Sequence, residues 1–141
     1  MQNERVLTLA LQLCGATMIV LSFAHLYLYR LLGWKDDVAK LTPINSEIFW
    51  AHAAFIAIGI GLLGLVCGFA PSTLIEKSAL ARLAATCFAM CWASRLVMQF
   101  AWFRGRLSKA DRVERALRVG GTLLWILYCT VFGALSLHQW S

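Results

Sequence analysis

The chain has 141 residues, of which 60% are hydrophobic and only 14% charged, with a mean hydropathy of +0.70. A soluble domain carries about 25% charged residues, and one this short cannot bury so much apolar side chain away from water, so hydrocarbon is the solvent that suits this composition and the length suits one domain. The formal net charge of +6 does not point to nucleic acid, because the basic residues gather in one connection between apolar runs, where anionic lipid headgroups are the matching partner.

A membrane span needs about 20 mostly apolar residues. Four segments meet that need, at about 6–32, 48–69, 79–103 and 119–137. None has the polar face that a helix of a soluble bundle would show. The expected fold is therefore all-α, an integral membrane antiparallel bundle of four transmembrane helices in a single domain over 1–141. The first run is too long for a signal-peptide core, and its flank carries Arg5 beside Glu4, so no removable leader is expected.

The first connection, Lys35 to Glu47, is polar and contains Pro43, with Asn45 and Ser46 as N-cap candidates for the second span. The second span carries Ala53, Ala57, Gly61, Gly64 and Gly68 along one side. The third carries Ala81, Ala85, Ala89 and Ala93. Small residues permit close helix contact where lipid supplies no hydrophobic drive, so these two faces are expected to meet. A G-x-G-x-x-G match at Gly59–Gly64 has no preceding strand and lies within a span, so it is not a nucleotide fingerprint.

The second connection, opened by Ala70 and Pro71, is tight. The third, 104–118, is a basic amphipathic stretch. Ser108–Asp111 resembles a capping-box start, Val113, Ala116 and Leu117 recur at helical spacing, and Arg112, Arg115 and Arg118 occupy another face. It reads either as a helix at the interface or extending the fourth span, docking on anionic headgroups, or as a solvated charged loop.

Orientation follows from lysine and arginine. Nine of them flank one side (Arg30, Lys35, Lys40, Arg104, Arg106, Lys109, Arg112, Arg115, Arg118) and three the other (Arg5, Lys77, Arg82), with Arg95 intramembrane. The expectation is a multi-pass protein with both termini on the non-cytoplasmic side. Trp34, Trp50, Trp102 and Trp140 near span ends fit interfacial belts. Five cysteines fall in apolar runs without a C-x-x-C, and buried free thiols are expected.

Polar side chains inside a span each raise a functional question. His25, His52 and Gln99 lie five residues from a charged flank, so all three are roughly 7–8 Å inside the same surface, with Arg95 one turn deeper. Ser22, His25 and Tyr29 share a stripe on the first span. Cys87, Cys91, Arg95 and Gln99 share one on the third. If these faces turn inward they form a pocket: His25, His52, Arg95, Gln99 and Tyr29 are its cofactor-binding candidates. Two imidazoles suit b-type haem, and the hydrogen-bonding set suits quinone. The plainer reading is that the two histidines fix helix packing and that Arg95 snorkels. No carboxylate lies in any span, which disfavours cation-coupled transport. No zinc-protease, serine-triad or P-loop pattern is present, so an enzyme is not favoured. The leading expectation is a non-enzymatic accessory or complex subunit acting through helix packing, in a homo-oligomer or larger membrane complex. A haem- or quinone-binding redox module is the alternative, and an anion-handling transporter using Arg95 a second one.

Overall fold

The computed structural model describes residues 2–102 and 112–141. Those residues are all-helical: α1 (Gln2–Leu31), α2 (Trp34–Val38), α3 (Pro43–Phe69), α4 (Ser72–Ile75), α5 (Ala79–Trp102) and α6 (Arg112–Trp140). Among them, α1, α3, α5 and α6 are long and apolar enough to cross a membrane, the make-up of a four-helix membrane protein. The expected spans are all present; α1 and α3 start earlier than expected, α5 keeps its expected start, and α6 is longer at both ends. Lipid-exposed backbone must satisfy its hydrogen bonds internally, so a helix continues until polar surroundings can take over. The chain divides into two compact units, Leu11–Pro71, and 1–10 together with Ser72–Ser141.

In the first unit α1 and α3 pack along a seam of small residues. A β-carbon added at Gly15 would stand 2.5 Å from the Gly68 nitrogen and 2.7 Å from the Gly64 oxygen. One added at Gly64 would meet Gly15, Met18 and Ile19 at 3.0 Å. Backbone therefore touches backbone. Cys14, Met18 and Cys67 are sealed on this seam at 0% exposure. Ser22 Oγ donates to the Ala57 carbonyl at 2.7 Å, across helices. The glycine side of α3, expected to meet the alanines of the third span, is thus filled by α1. Two spans joined by a short connection pack together readily, and Gly15 supplies the matching small residue.

That connection is ordered. Gly33 takes a left-handed φ of 65°, open to glycine without strain, and starts α2. Beyond it Lys40 Nζ bonds Asp37 Oδ1 at 2.9 Å, a contact that raises the lysine pKa above its ordinary value. α3 begins at Pro43 after Thr42, with no side-chain cap, rather than after Asn45 or Ser46. Proline's fixed φ and missing N–H suit a first helical position. Edge-to-face contacts of Trp34 with Phe49 (5.3 Å), Phe49 with Trp50 (5.4 Å) and Tyr29 with Trp50 (6.1 Å) close this end.

In the second unit α5 and α6 are antiparallel neighbours. From one end to the other the contacts pair Arg82 with Gln139, Thr86 with Ser136, Phe88 with Phe132, Trp92 with Tyr128 and Gln99 with Thr122. The buried stripe of α6 is bulky: Trp125, Tyr128, Val131, Phe132 and Leu135. From α5 the buried residues are Ala81, Ala85 and Trp92. The far end is tied to α4 by Gln139, which is 1% exposed. Its Nε2 lies 2.7, 3.0 and 3.2 Å from the carbonyls of Leu74, Ile75 and Glu76. These are the orphan acceptors that a helix leaves at its C-terminus. Of the basic stretch, residues 104–111, with the capping-box-like start, lie outside the described residues. Residues 112–118 are helix continuous with α6, so this part extends the fourth span.

Candidate functional site

His25 is half-buried on the α1 stripe that also carries Met18, Ser22 and Tyr29. Its Nδ1 is 2.8 Å from the Leu21 carbonyl one turn earlier. A carbonyl only accepts, so Nδ1–H is the donor in this contact, and Nε2 is the nitrogen that a ligand would meet. His52 repeats the arrangement, with Nδ1 2.8 Å from the Ile48 carbonyl. Its position differs. Ala57 and Gly64 of α3 lie buried on the α1 seam, and His52, one residue before the Ala53 of that stripe, is rotated about 100° from it and exposed. His25 thus lies on the seam stripe of α1, and His52 lies off the seam face of α3. Tyr29 accepts from Arg30 Nε at 2.6 Å and stands edge-on to Trp50.

Arg95 and Gln99 belong to the second unit, and there they do meet. Arg95 Nη1 donates to Gln99 Oε1 at 3.1 Å, and Gln99 Nε2 donates to Thr122 Oγ1 at 3.3 Å. Thr122 Oγ1 donates onward to the Arg118 carbonyl at 2.8 Å. The Arg118 guanidinium pairs with Glu114, its Nε 3.1 Å from the carboxylate. The Arg95 guanidinium carbon lies 4.8 Å from the Trp125 ring centroid. Trp125 stacks on Trp92 (5.6 Å, 14°), and Trp92 packs on Tyr128 at 4.6 Å. Trp92 Nε1 is buried with no hydrogen-bond partner. The result is a polar ladder of Arg95, Gln99, Thr122 and Arg118 on an aromatic base.

The candidate residues therefore fall into two groups, His25, Tyr29 and His52 in one unit and Arg95 with Gln99 in the other. Sequence reading did not select Thr122, Trp92, Trp125, Tyr128 or Gln139. Thr122 had a legible signal, a hydroxyl one turn from Arg118 in an otherwise apolar run. Gln139, close to the end of a span, had none. Among the described residues no group of three or more His, Cys, Asp or Glu side chains is placed to hold a metal ion. Cys87 and Cys91 are exposed, and Cys14 and Cys67 are buried free thiols. A groove of about 240 Å³ on the first unit is lined by Ile19, Ser22, Phe23, Ile58, Gly61, Leu62 and Leu65. Its one hydroxyl, that of Ser22, is committed to Ala57.

Comparison of the chain with protein-family models, with curated proteins and with solved structures yields no match.

Proposed function

We propose that this four-span membrane protein is a non-enzymatic subunit that acts through helix packing in an oligomer or a larger membrane complex. The observation that supports this most is how little of each span the chain covers for itself. No more than 28% of the most apolar stretch of any span is buried, which leaves broad faces for lipid and neighbouring helices. The helix pairs also use close-approach and interhelical hydrogen-bond chemistry, the means by which membrane helices associate. The test is light scattering on the protein extracted from its own membranes in mild detergent. The reading predicts a protein mass of several 15.7 kDa chains, or of this chain with a second integral membrane protein. A monodisperse single chain overturns it.

One observation favours the redox alternative. In both His25 and His52 Nδ1 bonds a carbonyl of its own helix, the hydrogen bond that metal-ligating histidines make through the nitrogen away from the metal. A b-type haem held by His25 or His52 gives a reduced-minus-oxidised α-band that His25→Ala or His52→Ala removes. A featureless spectrum excludes haem in the purified protein.

A further inference from the structure

We propose that the α5–α6 pair carries a binding site for a phosphate-type oxyanion, formed by Arg95 and Gln99 beside Thr122, at the end of the pair nearest Arg118. The inference stands apart from the subunit reading.

The case begins with charge. A guanidinium does not lose its proton in proteins, so Arg95 brings a permanent positive charge into a span. No Asp or Glu lies within 79–102. Among the described residues its contacts are the neutral amide of Gln99 and the π face of Trp125. Arg118, one turn beyond Thr122, already has its carboxylate in Glu114. Arg95 has none. A cation held in low dielectric is costly until an anion neutralises it.

Geometry adds direction. Side chains on a helix lean toward its N-terminus, yet the Arg95 guanidinium bonds Gln99, one turn toward the C-terminal end of α5. Gln99 leans back toward Arg95 in turn, so the two side chains meet between residues 95 and 99, in the half of α5 that ends at residue 102. The same end of the antiparallel pair carries Arg112 and Arg115, both exposed, which raise the local concentration of anions.

Chemistry then sets the ligand class. Arg95 uses one of its five N–H donors on Gln99, and Gln99 uses one amide hydrogen on Thr122. Four guanidinium N–H groups and one amide N–H remain, with no acceptor for them among the described residues. Arg95, Gln99 and Thr122 are only half-buried, so a ligand can reach them. A surplus of donors around one fixed cation, one of them a planar fork, matches the several oxygens of a phosphate group. The phosphate comes either from a phospholipid headgroup or from solution.

The test is a titration of the full chain in neutral detergent with short-chain phosphatidylglycerol, read by native mass spectrometry, with and without millimolar inorganic phosphate. One saturable equivalent per chain is expected. Arg95→Gln weakens it about tenfold or more, as loss of a charge-assisted bidentate contact does. Arg95→Lys weakens it less, because the charge survives and the fork does not. Gln99→Leu, which leaves the cation in place, weakens it severalfold and keeps the proposal testable if Arg95→Gln fails to fold. Lys77→Gln, at the opposite end of the pair and exposed, stays within twofold. Competition by inorganic phosphate assigns the site to soluble oxyanions, and lack of competition assigns it to lipid, with the site supported in either case. Equal binding by wild type, Arg95→Gln and Gln99→Leu overturns the proposal, as does absence of saturable binding of both probes to the wild type.

Discussion

Gly15→Ala is the smallest change that puts the α1–α3 seam to the test. Its new carbon stands 2.5 Å from the Gly68 nitrogen, 2.7 Å from the Gly64 oxygen and 2.9 Å from the Gly68 α-carbon. Carbon contacts are comfortable at about 3.5–4.0 Å. All three obstacles are backbone, so no side chain can swing aside and the helices must separate by about 0.5–1 Å. A gap of that size forfeits a quarter to a half of each van der Waals well of about 0.1–0.2 kcal/mol. Across a seam with roughly the 40–60 atom contacts of one buried leucine, the loss centres on about 2–4 kcal/mol. The Ser22–Ala57 hydrogen bond, now 2.7 Å, lengthens past usefulness and adds about 0.6 kcal/mol. The assay is sodium dodecyl sulfate titration of protein in mild detergent, followed by near-UV circular dichroism. The control is Gly59→Ala, whose β-carbon meets nothing within 4 Å and which is expected within about 0.5 kcal/mol of wild type. If Gly15→Ala and Gly59→Ala unfold at the same detergent fraction, the glycine seam is not what holds α1 to α3.

Further outcomes follow from other contacts. Gln139→Leu strips the partner from the carbonyls of Leu74, Ile75 and Glu76 and is expected to destabilise by about 2–4 kcal/mol in the same titration, the cost of unsatisfied buried and part-buried acceptors. Ser22→Ala removes one interhelical hydrogen bond and costs about 0.6–1.7 kcal/mol, less than Gly15→Ala. Trp125→Ala removes the base beneath Arg95 and the stack on Trp92, lowering stability by about 3–5 kcal/mol. For topology, a reporter fused after Ser141 is expected to be active on the non-cytoplasmic side, and cytoplasmic activity would reverse the orientation.

The spans were legible because apolar length is read one residue at a time and bilayer thickness fixes the threshold. Their ends were less so. Pro43 marked the start of α3, yet Asn45 and Ser46 offered stronger cap chemistry by type. Pairing was harder again. The stripe from Gly61 to Gly68 declared a close-approach face, but small residues do not name their partner, and α1 filled it through a single glycine at position 15. The polar residues divided in the same manner. The i, i+4 spacing of Arg95 and Gln99 foretold their contact, and His25 fell on the seam stripe as its spacing from Ser22 required. Thr122 reaches Gln99, and Trp125 reaches Arg95, from another helix, at a register that only folding sets. The outward turn of His52 depends on which face of α3 the seam uses, and the sequence leaves that open.

The most direct measurement of the central claim is native mass spectrometry of the protein released from its own membranes, which reads protein stoichiometry and bound non-protein mass together. The account predicts more than one polypeptide per particle, with no haem mass attached to the 15.7 kDa chain. A lone chain carrying one haem would contradict it and transfer the function to His25 and His52.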